Sequence, residues 1–464
     1  MKQIKGYIMI GLLFLSWCVL FWLTGSRTPW QDWSHTEVNG AGISVHLGDI
    51  TVDNYDRMGF TKAVVRYIEP EEGWLVGTEK GEVFLFSSSG RQLWKHSLGI
   101  GKIISAAISP DGKTAYVGEQ SPTGNLYAID THTGDIRWKR ETSEWVGSDT
   151  SVRSYPSVLH ISVDQQGRVY INAYRFLFTK DGHRGHAGRV AALDTDGTLL
   201  WKYPDAAPMD GWITWNSINE KERLLAVSSS IYERLETVQY GDTLYFIHMD
   251  TGTLDHSVLL DPEEPFETTV MRGSPNFSSD GTVLAGSASD GRAFLFDGRG
   301  NLLWQRFLSK PAEIDGSWIN ASGRDGYVIP EGVVFSTINT FNRENWQLPT
   351  PVQHPSGNSL FVFDRDGTFR YQYRGKGTME ELDFADGIIV AAIGRNVRTH
   401  DYSAHGVVVL DAGNGKELNF FSCEGPVQAV AVSKDGRTAA GVEAPAVTPE
   451  GNVIGSYRLH IWQR

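Results

Sequence analysis

The chain has 464 residues, of which 41% are hydrophobic and 50 are glycine, and its formal net charge is −13. Residues 1–26 hold two lysines and no acidic side chain, so the remainder carries −15, which disfavours nucleic acid as a partner and direct docking of this part on anionic lipid. The abundance of glycine and aromatic residues favours short strands and tight turns over helices.

The first 26 residues are predicted to be a cytoplasmic tip and a transmembrane signal-anchor. Residues 7–23 form a run of 17 uncharged residues, at the short end of a membrane-spanning helix. Lys2 and Lys5 precede this run and should stay in the cytoplasm, which places the rest of the chain on the outer side of the membrane, periplasmic or extracellular. Cleavage after Ser26, which would give a secreted protein, is the alternative. Residues 27–41 are then a linker and residues 42–464 the folded domain.

The folded domain has a single cysteine, Cys423, because Cys18 lies in the apolar run. No intrachain disulfide is available to the domain, so its stability must come from packing. A small, partly buried Cys423 is favoured over a reactive thiol.

An internal repeat runs along this domain. A glycine is followed four residues later by a large or polar residue, at spacings of 44 to 67 residues. The seven copies are Gly90/Trp94, Gly134/Trp138, Gly197/Trp201, Gly252/His256, Gly300/Trp304, Gly367/Tyr371 and Gly415/Asn419. A short strand ending in Asp precedes most copies, and a hairpin turn such as residues 109–112, 278–281 or 433–436 comes earlier. This pattern predicts that each unit forms four strands, A to D, joined by tight turns.

These units resemble the quinoprotein-like (PQQ-like) repeat, most clearly at residues 111–138 and 280–304. The resemblance implies an all-β fold, a β-propeller of four-stranded antiparallel blades. After Asn419 the chain supplies only three more strands, and residues 42–53 can provide the missing outer strand and close the ring. We therefore expect eight blades, preceded by the one N-terminal transmembrane helix; seven blades is the alternative if residues 211–260 do not form one. The tryptophans of strand D should pack between neighbouring blades.

The insertions between strands favour one face of the disc. The B-to-C connections are enlarged at residues 175–189, 232–242, 340–358 and 396–406, and the D-to-A connections at 142–155, 204–212 and 261–273. Both classes of connection lie on the same face, so one face is plain and the other carries the long loops. Loops on a rigid frame are where recognition usually occurs.

Charged and aromatic residues are expected to line the channel mouth on this long-loop face, where the innermost strands begin. They are Arg153, Asp210, Trp212, Trp215, Arg272, Asp315, Trp318, Glu380 and Glu381. Such a concave mouth could bind a peptide, a glycan or a small molecule. Alternatively, the tryptophans only fill a narrow channel and the charges are solvated.

Histidines form a second group on the long-loop face: His183 and His186, His400 and His405, and His354. Histidine and carboxylate side chains can ligate zinc. The first two pairs belong to the third and seventh units, on opposite sides of the ring, so exposed histidines or separate weak metal contacts are favoured over a shared site.

The resemblance leaves three functions open. Dehydrogenases of this repeat type hold pyrroloquinoline quinone above a tryptophan floor, usually with calcium; Trp215 or Trp318 is the candidate floor here, but the chain has no adjacent cysteines and no assignable calcium set. The chain also resembles the non-enzymatic, eight-bladed periplasmic propeller of the outer-membrane assembly machine. We therefore expect a monomeric, membrane-anchored binding scaffold for envelope proteins or peptides, with no cofactor and no catalytic residues. A quinone-dependent dehydrogenase and a glycan-binding or glycan-cleaving propeller are the alternatives.

Overall fold

The computed structural model describes residues 42–49, 63–69, 71–99, 101–178, 184–231, 241–341, 353–394, 404–448 and 450–463. The predicted anchor at residues 7–23 and the linker at 27–41 lie outside these ranges. Within the described residues, no helix is long and apolar enough to cross a membrane. The helices described are α1 (Ser143–Val146) and a short 3-10 helix (Val152–Ser154).

The described chain is otherwise built from strands, as expected for an all-β fold. The strands of the first half are β1 (Gly42–His46), β2 (Ala63–Ile68), β3 (Gly73–Thr78), β4 (Glu82–Ser87), β5 (Gln92–Ser97), β6 (Lys102–Ile108), β7 (Thr114–Gln120), β8 (Asn125–Asp130), β9 (Ile136–Glu141), β10 (Ser157–Val163), β11 (Val169–Phe178), β12 (Arg184–Leu193), β13 (Leu199–Tyr203), β14 (Trp212–Asn219), β15 (Leu224–Ser230), β16 (Thr243–His248) and β17 (Leu254–Leu259). The strands of the second half are β18 (Asn276–Phe277), β19 (Val283–Ser287), β20 (Arg292–Asp297), β21 (Leu302–Phe307), β22 (Ala312–Ile314), β23 (Ser317–Ile329), β24 (Gly332–Phe341), β25 (Ser359–Phe363), β26 (Phe369–Arg374), β27 (Met379–Ala385), β28 (Ile388–Ile393), β29 (His405–Asp411), β30 (Glu417–Cys423), β31 (Val427–Val432), β32 (Thr438–Glu443), β33 (Ala446–Val447), β34 (Val453–Ile454) and β35 (Arg458–Gln463).

Apart from β22, β33 and β34, these strands fall into antiparallel units of four. One residue pair, Gln120 of β7 opposite Ser157 of β10, also joins β6–β9 to β10–β13 in an eight-stranded sheet. Units 1 to 7, in chain order, are β2 to β5, β6 to β9, β10 to β13, β14 to β17, β18 to β21, β23 to β26 and β27 to β30. Unit 8 has the order β31, β32, β35, β1. Its outermost strand is β1, in which Gly42 lies opposite Trp462 and His46 opposite Arg458. The beginning and the end of the described chain therefore share one sheet.

The innermost strands of successive units are in contact around a ring. Contacts run from β2 through β6, β10, β14 and β18 to β23, then from β24 to β27 and from β27 to β31, and β31 contacts β2. The apolar core lies between successive sheets: one cluster joins Val64 of β2 to Val117 of β7, and another joins Trp74 of β3 to Ile461 of β35. This arrangement is a β-propeller.

The glycine-led repeat has a packing cause. The strand D tryptophans Trp94, Trp138, Trp201 and Trp304 each donate Nε1–H to a backbone carbonyl of the following unit, at 2.8, 2.8, 2.8 and 3.0 Å. The repeat glycine of that next unit lies against the tryptophan ring; a Cβ on Gly252 would come within 2.5 Å of Trp201, and one on Gly197 within 2.7 Å of Trp138. The prediction that these tryptophans pack between units is confirmed.

One of the predicted loops is largely a hairpin. Residues 175–178 and 184–189, expected in a B-to-C connection, extend β11 and β12, which pair from Val169–Leu193 to Phe178–Arg184. The reason is packing: Phe176 contacts the ring of His186 at 5.9 Å between centroids, and Ala187 is buried. The third unit therefore reaches beyond its neighbours on the long-loop face.

Candidate functional site

The innermost strands of several units carry a β-bulge close to their first residues. The register shifts lie between Ile103 and Ser105, Val158 and His160, Ile213 and Trp215, Met379 and Glu381, and Val427 and Ala429. A bulge bends a strand and redirects its side chains. Here the redirected residues include His160, Trp215 and Glu381.

An ion pair crosses the inside of the ring. Arg66 on β2 donates from Nη1 to Oε1 of Glu381 on β27 at 2.8 Å. These residues belong to units 1 and 7, with unit 8 between them, so the contact lies in the central channel. Arg66 Nε also donates to the carbonyl of Ala106 at 3.0 Å, and Glu381 Oε2 accepts from the amide of Val430 at 3.1 Å. One pair thus ties together units 1, 2, 7 and 8.

A second arginine joins units 6 and 7. Arg324 on β23 donates from Nη1 to Oε2 of Glu380 at 3.1 Å and to the carbonyl of Met379. Asp325 lies beside it, with Oδ2 3.8 Å from Arg324 Nε, and accepts from the hydroxyl of Ser336. Burial raises the pKa of Asp325, and the neighbouring guanidinium opposes that rise.

Two further titratable groups line the same side of the channel. Asp383 accepts from the amides of Val432 at 2.8 Å and Phe384 at 2.9 Å. Burial nevertheless raises the pKa of Asp383 to about 6. Burial and nearby carboxylates raise the pKa of Tyr327 well above its usual value, so this phenol stays neutral.

On the other side of the ring, His160 and Trp215 form a packed pair. Their ring centroids are 3.7 Å apart, and Trp215 Nε1 donates to Asn276 Oδ1 at 3.0 Å. Burial lowers the pKa of His160 to about 3, and the charge of Arg66 adds to this, so the imidazole is neutral. Its Nδ1 is buried without a hydrogen-bond partner among the described residues.

The nine residues predicted at the channel mouth differ in their surroundings. Glu380 and Glu381 are fixed by arginines, and Trp215 is packed against His160, as above. Trp212 is partly buried, with its ring 6.4 Å from that of Tyr174, and Asp210 and Arg272 are also partly buried. Arg153, Asp315 and Trp318 are exposed.

Trp318 is the most exposed large apolar side chain among the described residues, at 65%. It lies at the start of β23, where this strand leaves the sheet of unit 6 and forms a hairpin with β22. The turn residues Asp315 and Gly316 both have positive φ, 50° and 75°, as a two-residue hairpin turn with the right-handed strand twist requires. The hairpin therefore holds an exposed indole on a paired backbone.

The candidate histidines occupy separate places. His183 and His400 lie outside the described residues. His186 is buried, with Nδ1 2.9 Å from the hydroxyl of Tyr174, and His405 is buried with Nδ1 3.1 Å from the carbonyl of Glu424. His354 Nε2 lies 3.1 Å from the carbonyl of Lys310. Among the described residues, none of these belongs to a group of converging metal-ligating atoms.

Sequence reasoning missed most of the channel residues. Arg324 and Asp383 were not selected, and the strands that hold them, SWINASGRDGYVI and MEELDFA, contain several other polar residues. Arg66 and His160 were not selected either, although each is a polar side chain inside a mostly apolar innermost strand, AVVRYI and SVLHISV. That interruption of an apolar strand was the available signal.

Comparison with known proteins agrees with this architecture. The family model described as outer membrane protein assembly factor BamB matches residues 79–230, about a third of the chain. These residues are quinoprotein-like repeats. No curated protein matches the sequence. The resemblance predicted from the repeat pattern is confirmed.

Solved structures show the same fold at low sequence identity. BamB from Moraxella catarrhalis is 13% identical and has a TM-score of 0.53, with 91% of this chain and all of that chain covered. The computationally designed Ika8 protein is 11% identical, with a TM-score of 0.55 and coverage of 87% and 96%. The quinohemoprotein alcohol dehydrogenase ADHIIG from Pseudomonas putida HK5 is 14% identical, with a TM-score of 0.56 and coverage of 91% and 76%.

Proposed function

We propose that this chain is an exported β-propeller that binds proteins or peptides of the cell envelope through its long-loop face. In this proposal residues 7–23 anchor it in the membrane, the eight four-stranded units are its eight blades, and it works as a monomer. Support comes from the ring of contacts between units and from the family model, whose description names an outer membrane protein assembly factor.

The observation that carries the proposal is the exposed Trp318 on its hairpin. Tryptophan is among the residues that contribute most to protein–protein binding, because it buries a large surface at a small loss of conformational freedom. A paired hairpin reduces that loss further, since its backbone is already ordered before binding. Arg153 and Asp315 are also exposed, and on the predicted long-loop face they would supply charges of the kind found at the polar rim of an interface.

Site-specific photocrosslinking tests the proposal, with a control in the same unit. Phe369 is 55% exposed on β26, the outermost strand of unit 6, so it matches Trp318 in exposure but not in position. A photoreactive residue at position 318 of the full-length chain in its native membrane should yield a discrete adduct with an envelope protein or peptide, whereas position 369 should not. Trp318→Ala should abolish recovery of the same partner, and Phe369→Ala should preserve it. Equal labelling at both positions, or recovery unaffected by Trp318→Ala, would overturn the proposal.

The described channel residues do not fit pyrroloquinoline quinone. Trp215, a candidate floor, has its ring against His160 at 3.7 Å, and Trp318 lies exposed on the hairpin. Cations would be needed to neutralise the carboxylates of the quinone, and the guanidinium groups of Arg66 and Arg324 already contact Glu381 and Glu380. We therefore assign no step to this cofactor. If adding the quinone and calcium produced dye-linked alcohol oxidation, the quinone would have to be assigned to this channel. Binding on a glycan array would instead favour a carbohydrate ligand.

A further inference from the structure

Three side chains with different metal-ligating atoms converge where unit 7 meets unit 8. They are Cys423 at the end of β30, Glu443 at the end of β32 and His460 on β35. One ligand atom of each lies within 4.8 Å of the others. We propose that this group binds a divalent ion of the zinc class, with thiolate, carboxylate and imidazole as its three protein ligands.

The carboxylate is held in place by the backbone. Glu443 is 2% exposed, and its Oε1 accepts from the amides of Gly425 and Ser456, each at 3.0 Å. Gly425 and Gly455 pack so closely here that a Cβ on Gly455 would lie 2.4 Å from Cα of Gly425 and 2.8 Å from Glu443 Oε1. One oxygen is therefore fixed by two amides, and the other, Oε2, faces His460.

The imidazole is positioned by the same carboxylate and by aromatic stacking. His460 Nε2 lies 2.7 Å from Glu443 Oε2. The His460 ring stacks on Trp462 at 5.8 Å between centroids, and Trp462 stacks on Phe421 at 4.7 Å. The stacking restricts rotation of the imidazole and keeps Nε2 directed at the carboxylate.

The ligand separations would change by about 1 Å or less for the most part to accept the ion, since none exceeds 4.8 Å at present. Tetrahedral zinc with bonds of about 2.0–2.3 Å sets neighbouring ligand atoms about 3.3–3.6 Å apart. The His460–Glu443 separation would widen by about 0.6 Å from its present 2.7 Å, with the ion replacing the hydrogen bond between them. A mixed sulfur, nitrogen and oxygen set suits zinc and similar ions better than calcium or magnesium, which prefer oxygen ligands alone.

The charges also balance. Binding displaces the proton of the Cys423 thiol and leaves a thiolate and the Glu443 carboxylate, two negative charges against the two positive charges of the ion. Water completes the fourth position.

Cobalt(II) is the probe for this site, because a thiolate ligand to cobalt gives a charge-transfer band in the near ultraviolet. Titration of Co²⁺ into the reduced full-length protein should give tetrahedral visible bands and this sulfur band, both saturating at one ion per chain. Cys423→Ser should remove the sulfur band, and Cys18→Ser, the matched thiol control, should retain it. His460→Gln or Glu443→Gln should weaken cobalt binding by more than about tenfold.

His256→Gln is the matched histidine control. His256 is also partly buried beside a carboxylate, with Nδ1 2.7 Å from Asp255, but no cysteine is near it in the sequence or the sheet. This variant should bind cobalt as the parent does. The Ser and Gln substitutions preserve size, and circular dichroism verifies that each variant is folded. A folded parent protein without the sulfur band at millimolar cobalt, or a band that survives in Cys423→Ser, would overturn the proposal.

Discussion

Alanine at the repeat glycines should destabilise the protein through contact with the tryptophan of the preceding unit. Gly197 has φ of +81°, and a Cβ there would lie 2.7 Å from the ring of Trp138. Gly451 has φ of +85°, with nothing within 4 Å of such a Cβ. Both amides donate across their turns at 2.9 Å, to Asp194 and Thr448. Gly197→Ala and Gly451→Ala therefore share the backbone change and differ only in the clash.

The cost of backbone strain can be separated from the cost of the clash with the ring. An alanine forced into the left-handed region loses about 1–2 kcal/mol at either position. Overpacking against the partly buried Trp138 ring adds about 1–3 kcal/mol at position 197 alone, because the indole is also held by its hydrogen bond to the Thr195 carbonyl. Gly197→Ala should therefore lower the free energy of unfolding by about 1–3 kcal/mol more than Gly451→Ala.

Urea unfolding followed by far-ultraviolet circular dichroism measures this difference, with both variants compared under the same conditions. The reduction of unfolded-state entropy by alanine is common to both variants and cancels. Equal losses for the two variants would refute the proposed link between the repeat glycine and the tryptophan of the preceding unit.

Three more predictions concern the channel. Glu381→Gln should lower the free energy of unfolding by about 1–3 kcal/mol, because Arg66 loses its charged acceptor. The Arg66→Met/Glu381→Gln double variant should lose less stability than the sum of the two single variants. Strictly additive losses in urea unfolding would contradict the pairing of the two residues. Because the folded pKa of Asp383 is raised to about 6, the folded state holds a proton that the unfolded state has lost, so stability should fall as pH rises from about 4 through 6. Asp383→Asn should reduce this dependence of stability on pH. An unchanged dependence in the variant would contradict the role of Asp383. The pKa of His160 is lowered to about 3, so stability should fall as pH drops from about 6.5 toward 3. His160→Gln should reduce this loss of stability in acid unfolding curves. A loss of the same size in the variant would contradict the role of His160.

Local signals in the sequence predicted much of the fold. The Gly and Trp pattern indicated the packing between units, because the contact recurs at each of the four strand D tryptophans Trp94, Trp138, Trp201 and Trp304. The incomplete last unit indicated that an N-terminal strand was needed. The pairing of residues 175–178 with 184–189 was not predicted, because these aromatic and small residues were interpreted as part of a loop.

The sequence predicted the glutamates of the channel but not the arginines that pair with them. Glu380 and Glu381 were selected as charges at a strand start, but their arginines come from units distant in sequence, and Arg66 lies 315 residues from Glu381. Pairing across a ring depends on which strands face the centre, which a repeat pattern does not reveal. The group of Cys423, Glu443 and His460 was missed for the same reason, because its members lie on three different strands.

The pairing of β1 with β35 gives the order in which the protein can mature. Units 1 to 7 are each formed from consecutive segments, so they can assemble as the chain is synthesised. β1 is made early but must wait for nearly the last described residues before it has a partner, and its edge stays exposed to other chains during that interval. Deleting β35 should therefore leave seven formed units in an open arc that self-associates.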